Sequence, residues 1–366
     1  MQFQVPKKIT RLTTMLKKIF YFLTWIALAA GMTSANAQNA TVATIPEGMM
    51  TYNLLPNTTS YLSLPLTANL TYSGAVTAVT ANTISVGDNP APFTSNLATA
   101  SAPYFVKFLS GSEMGRVILV TANTTSALTL DTTDNSNQTV SLTTSGFSVA
   151  MGDTFEVFPG DTLANVFGNN TAQNPLLLMG ATNIYLADSV SIYNSPMGRL
   201  KSYFFNTRAG YWEANGSSAN ANNTILYPYG SLIVTRRTGA ADISLVLSGR
   251  VAEVPVLTKT TGNSSVVYAS TGSATNMTLS QLQYGSNWVT GTNAFTADTI
   301  SIWNPTLSRF NTYYQMPDST WRLSTNADAD QSNVVVAAGD SISIVQRSSV
   351  SGASSFLQSP LPYSLN

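Results

Sequence analysis

The 366-residue chain contains no histidine and no cysteine. Ser-His-Asp and Cys-His catalysis, thiolate nucleophiles, disulfides and ordinary zinc or haem sites are therefore excluded together. Paired carboxylates are the catalytic device that remains, because glycoside hydrolysis uses two acids roughly 5 to 9.5 Å apart and needs no imidazole. The glutamates are Glu47, Glu113, Glu156, Glu213 and Glu253. Glu213 is the best placed, since its neighbours Tyr211 and Trp212 could stack on a sugar and raise its pKa. Its counterpart in the internal repeat described below is Arg322, however, so no acid pair emerges. The chain reads as a non-enzyme.

Calcium is the metal compatible with these residue types, because hard oxygen ligands suffice. Asn326, Asp328 and Asp330 place oxygens at alternate positions, like the start of a calcium loop. The central glycine is absent and the twelfth position is Ala337, so a solvated turn is the plainer reading. The run from Asp131 to Asn137 is equally loose. Apart from calcium no cofactor is expected.

Aromatic residues cluster at Tyr203, Phe204, Phe205, Tyr211 and Trp212, and again at Tyr313, Tyr314 and Trp321. Aromatics on strands usually belong to a core. The alternative is a polysaccharide-binding face using Tyr211, Trp212, Tyr313 and Trp321. Arg236 and Arg237 close a strand and should meet local carboxylates or a neighbouring subunit.

Short runs rich in Val, Ile, Leu, Thr and aromatics, punctuated by Asn, Gly and Thr, must position these residues. They include 75–86, 104–108, 116–128 and 231–235, and they read as strands joined by tight turns. Thr299–Trp303 and Ser341–Val345 alternate apolar and polar residues, as half-buried antiparallel strands do. Short helices are expected at 161–167, stopped by Gly168, and at 278–283.

The octet Ala187 to Asn194 (ADSVSIYN) recurs 110 residues later as Ala297 to Asn304 (ADTISIWN). Arg199 then matches Arg309 and Tyr203 matches Tyr313; after the loss of one residue, Trp212 matches Trp321 and Gly230 matches Gly339. A fixed offset of this kind marks two copies of one β-module. The expected fold is all-β, with tandem sandwich or barrel-like modules, an internal duplication and a few short helices. The expected division is a signal peptide at 1–37, a flexible leader at 38–49, a β-rich domain at 50–158, and module copies at 159–257 and 258–366. A smaller unit, a small residue followed by Asp and Ser or Thr, recurs at Asp153, Asp188, Asp298 and Asp340. Such an Asp hydrogen-bonds local backbone N–H groups at the turn feeding a strand.

Lys7, Lys8, Arg11, Lys17 and Lys18 precede the apolar run Ile19–Ala30 and an A-x-A site at Ala35–Ala37. That order describes a secretory signal peptide cleaved before Gln38, and the apolar run is too short for a spanning helix. Its removal takes five of the 17 basic residues and none of the 17 acidic ones, leaving 12 against 17, a formal net charge of −5. No nucleic-acid partner and no transmembrane segment are expected. The destination is extracytoplasmic, secreted or at a cell surface, with the periplasm as the other compartment.

The segment Tyr104–Leu130 (YFVKFLSGSEMGRVILVTANTTSALTL), with 187–212 and 228–251, resembles an uncharacterised family of exported proteins from Gram-negative bacteria of the verrucomicrobial kind. The resemblance covers most of residues 38–366 and implies export and modular β architecture; it transfers no activity and no site residues. The second copy departs from the pattern after Arg347, where the expected final strands are replaced. Export, repetition, 9% charged residues and missing catalytic residue types together suggest a structural surface protein. Its partners would be its own copies, as a layer or filament subunit, or other surface components. Polysaccharide binding is the alternative, and glycoside hydrolysis through Glu213 a third reading.

Overall fold

Runs of β-branched and aromatic residues become strands wherever Gly, Asn or Asp supplies a turn, and very little of the chain is helical. The computed structural model describes residues 46–133, 141–144, 147–194, 199–261, 266–347 and 354–361. The expected signal peptide, 1–37, and residues 38–45 of the expected leader lie outside them.

The chain opens with β1 (Glu47–Leu54) and β2 (Thr59–Ser63). Nine strands follow: β3 (Tyr72–Ala75), β4 (Ala78–Val79), β5 (Thr83–Ser85), β6 (Tyr104–Phe108), β7 (Val117–Asn123), β8 (Ala127–Leu130), β9 (Thr143–Thr144), β10 (Phe147–Ser148) and β11 (Thr154–Pro159). Next come β12 (Asp161–Thr162), helix α1 (Leu163–Phe167), β13 (Ser189–Asn194), β14 (Arg199–Asn206), β15 (Tyr211–Ala214), β16 (Ile225–Leu226), β17 (Ser231–Thr235) and β18 (Ile243–Arg250). The last stretch holds β19 (Val256–Thr261), β20 (Val266–Ser270), β21 (Met277–Thr278), a 3-10 turn (Leu279–Gln281) and β22 (Gln283–Tyr284). It ends with β23 (Thr299–Asn304), β24 (Arg309–Gln315), β25 (Trp321–Leu323), β26 (Val335–Val336), β27 (Ser341–Val345) and β28 (Ser354–Ser359).

Two five-stranded antiparallel sheets have the same plan. The first runs β15-β14-β13-β17-β2 and the second β25-β24-β23-β27-β20. Each is accompanied by a short ladder, β12-β16 or β21-β26, and by a longer pairing, β1 with β18 or β19 with β28. The fifth strand of the first sheet is thus β2, from far upstream, in the place β20 takes in the second.

This pairing cuts across the division drawn from the sequence. β1 and β2, expected with the 50–158 domain or the leader, pair with β18 and β17 instead. Residues 64–160 lie between β2 and β12, where the second half needs only 271–276 to join β20 to β21. Most of that long segment forms its own seven-stranded sheet, β3-β11-β6-β7-β8-β5-β4. Sequence reading could not separate insertion from succession, because contiguous chain looks the same in both. β28 also supplies the final strand thought to be missing after Arg347.

Each sheet has its own core. Leu163, Phe167, Val190, Phe205, Trp212, Leu232 and Val234 pack under the first, and Leu279, Ile300, Trp321, Ile342 and Ile344 under the second. Val106, Phe108, Ile118, Phe155 and Val157 fill the inserted sheet. Burying side chains of this size contributes about 1.5–3 kcal/mol each. Helix α1 begins where the Thr162 hydroxyl accepts the Asn165 N–H at 3.3 Å and stops at Gly168, φ +83°. A Cβ there would meet the Pro175 carbonyl oxygen at 2.0 Å, so only glycine fits.

The alternating strands differ from expectation in one respect. The first four residues of β23 and of β27 are buried on both faces. Their polar face meets protein rather than water. Small hydroxyl side chains permit close approach there: Ser231 and Ser341 are hydrogen-bonded, and the Ser270 hydroxyl donates to that of Ser63 at 2.8 Å. Tyr61 and Tyr268 stack alongside, ring centroids 6.3 Å apart. By strand register each pair joins equivalent positions of the two sheets. The contacts therefore surround an approximate two-fold axis. Among the described residues no helix is long and apolar enough to cross a membrane.

Candidate functional site

The Asp-containing turns are the best-preserved local feature of the two halves. Asp188 Oδ2 accepts the Met179 N–H at 2.8 Å, and Asp298 Oδ2 accepts the Val289 N–H at 2.8 Å. Their Oδ1 atoms accept the N–H groups of Arg237 and Arg347. Each arginine then turns its guanidinium onto the preceding loop, Arg237 donating to the carbonyls of Ile184 and Ala187 and Arg347 to that of Ala294. Arg236 adds a fully buried ion pair to Asp188 at 2.7 Å. Its counterpart is Gln346, and burial holds the Asp298 carboxyl above its ordinary value although Arg347 lies close by.

These braces present a short turn. Asn183 Oδ1 accepts the N–H groups of Tyr185 and Leu186, and Asn293 Oδ1 accepts those of Phe295 and Thr296. Tyr185 is 80% exposed and Phe295 is 88% exposed, the highest values for large hydrophobic side chains among the described residues. Sequence reading passed over both, although Asn-x-Tyr-x-Ala-Asp and Asn-x-Phe-x-Ala-Asp stand inside the repeat.

The aromatic residues expected to bind sugar lie elsewhere. Trp212 and Trp321 are 0% exposed, so neither indole offers a face to a ligand. Trp212 packs on Phe167 and Phe205 and donates from Nε1 to the Gly168 carbonyl at 2.7 Å. Trp321 packs on Tyr284 and Trp288, and its Nε1 meets no acceptor. Tyr313 is buried, and half-buried Tyr211 donates to the Ser218 carbonyl at 3.1 Å. Both tryptophans are core residues because β15 and β25 turn these side chains under the sheet, as strand register requires.

Glu213 is buried and accepts the Asn206 amide at 2.9 Å, which suits a turn brace. Asn326, Asp328 and Asp330 are exposed. Asp330 Oδ1 accepts from the Ser332 N–H and hydroxyl, and that hydroxyl bond holds the carboxyl below its ordinary value. Asn220, its counterpart, accepts the Asn222 N–H at 2.9 Å in the same way. An amide does the same work, so the turn needs no charge. Among the described residues no three acidic side chains gather as a metal site would require. Much of the looser run, 134–137, lies outside the described residues.

Strand register near the axis also corrects one match. β17 and β27 align with an offset of 110, which sets Gly230 against Asp340 and Tyr229 against Gly339. Tyr229 and Gly339 share a left-handed backbone, φ +58° and +75°.

The described residues also enclose a cleft of about 480 Å³. It opens where β13 runs past its last pairing with β17, Ile192 with Leu232. β7 of the inserted sheet and β19 and β20 of the second half supply the other walls. Tyr193, Tyr203, Tyr227, Tyr229 and Tyr268 line it together with Lys201, Arg116 and Asp131. Burial raises the Tyr193 and Tyr268 hydroxyls above their ordinary value.

Comparison with known proteins adds nothing to this geometry. No family model, curated protein or solved structure matches the chain.

Proposed function

We propose that this chain is an exported, non-enzymatic structural protein of a Gram-negative cell surface, a duplicated β-module that self-associates into a layer or filament. The first 37 residues supply the export argument, and the resemblance to exported verrucomicrobial proteins points the same way. The repeated octet and the shared strand plan support duplication followed by insertion of residues 64–160 into the first copy.

The observation that carries the reading is the pair of equivalent aromatic turns. Among the described residues Tyr185 and Phe295 are the most exposed of the large hydrophobic side chains, and both sit on turns fixed by an Asn, an Asp and an Arg. A single exposed aromatic needs no explanation, but the same rigid presentation in both halves does. Aromatic side chains held this way lose little entropy on docking and suit an interface. Sparse Lys and Glu leaves strand edges weakly defended against pairing with another chain, which favours assembly.

Electron microscopy of the secreted protein, purified after cell fractionation, tests this. Ordered layers or filaments at rising concentration support the reading. A protein retained in the cytoplasm, or one that stays dispersed, contradicts it.

A further inference from the structure

We propose that the tyrosine-lined cleft binds a short oligosaccharide bearing a carboxylate. The proposal goes beyond the structural reading and rests on it only for export into a space that holds polysaccharide.

The cleft is specific to one side of the approximate two-fold axis. On the other side, Trp303 and Phe310 cover Tyr61, with ring centroids 4.7 and 4.8 Å away. Their counterparts by register are Tyr193 and Leu200, which are smaller. Tyr193 reaches Tyr268 at 5.8 Å and leaves the groove beside it open. The inserted sheet then adds a wall that the second half lacks. The cavity thus arises from two departures from symmetry, both on the same side.

Its lining matches one ligand chemistry. A volume of about 480 Å³ falls in the range of roughly 300–1,000 Å³ usual for small-molecule sites and suits two or three sugar rings. Tyr193, Tyr227 and Tyr268 are the lining tyrosines that are not buried, and such rings pack against the C–H face of a pyranose while their hydroxyls exchange hydrogen bonds with its edge. Asp131 lines the same cleft as an acceptor for sugar hydroxyls. Lys201 is exposed, sits 5.5 Å from the Tyr203 ring centroid and belongs to no ion pair among the described residues. Arg116, by contrast, is committed to Glu113 at 2.7 Å. An ammonium that rests on a ring and meets no carboxylate among the described residues selects a carboxylate, and hydrogen bonds to charged groups are the strong ones.

The test is calorimetric titration of the secreted protein with a galacturonate tetrasaccharide and, as neutral control, cellotetraose. Lys201→Gln changes an exposed side chain and should leave the fold unaltered, as a thermal melt will verify. It is expected to weaken galacturonate binding about tenfold while leaving cellotetraose unchanged. Tyr193→Leu, which keeps the apolar volume and removes the ring face, is expected to weaken both. Absence of galacturonate binding by the unaltered chain, or an affinity that Lys201→Gln leaves intact, overturns the proposal. Repeating the titration on the Tyr185→Ser/Phe295→Ser chain, whose cleft is untouched, separates a failure to bind from a failure to assemble.

Discussion

Ser231 and Ser341 stand 110 residues apart, open equivalent strands of the two sheets, and hydrogen-bond to each other across the approximate two-fold axis. Both are buried. Replacing either with alanine leaves the other hydroxyl without this partner, and each single change should cost about 1 kcal/mol. The double change should cost less than the sum, with a coupling of about 0.5–1 kcal/mol in a denaturant double-mutant cycle. Strict additivity would show that the two halves do not meet through these residues.

The two core tryptophans differ in one atom's surroundings. Trp212 Nε1 donates to the Gly168 carbonyl, whereas Trp321 Nε1 has no acceptor, because a 3-10 turn stands where the first half has α1. Trp212→Phe should therefore destabilise by about 1 kcal/mol more than Trp321→Phe. Urea midpoints of the two variants measure the difference. Equal losses would mean that the bond to Gly168 contributes nothing.

Lys107 is buried on β6 opposite Glu156, with Arg250 and Glu253 nearby and the Tyr229 hydroxyl 3.3 Å from its Nζ. Burial pulls its pKa from 10.5 down to about 8. Between those values the unfolded chain binds more protons than the folded one, so this group makes stability rise with pH across that window and weakens the fold below it. Tyrosines raised by burial act in the opposite sense above their ordinary value of 10.0, Tyr227 among them at about 12. The stability difference between the unaltered chain and Lys107→Met should therefore shift towards the unaltered chain from pH 8 to 10. A difference independent of pH in that range would contradict it.

Asp330→Asn converts the turn before Ser332 to the chemistry its counterpart Asn220 already uses. The change should leave the melting temperature unaltered, with or without added calcium. A melting temperature that calcium raises only when Asp330 is present would restore the metal reading.

Local features were legible in the sequence and pairings across it were not. The bounds of β6, β17 and β27 coincide with the expected runs because each is a short block of β-branched or aromatic residues closed by a turn. The 110-residue offset was equally plain in Ala187–Asn194. Membership of β2 in the first sheet was hidden, since nothing in Thr59–Ser63 records that its partner is Ser231–Thr235. The fate of Trp212 and Trp321 was hidden for the same reason: an aromatic on a strand looks alike whether its face meets solvent or another layer. Tyr185 and Phe295 escaped because a lone aromatic in a loop carries no periodicity, and only the Asn-x-aromatic spacing shared by both halves marks it.

Self-association through the braced aromatic turns is the central claim, and sedimentation of the purified protein against its Tyr185→Ser/Phe295→Ser variant tests it most directly. The account expects the unaltered chain to form large species as concentration rises, and the variant, folded by circular dichroism, to remain a monomer. Identical sedimentation of the two proteins at every concentration would contradict it.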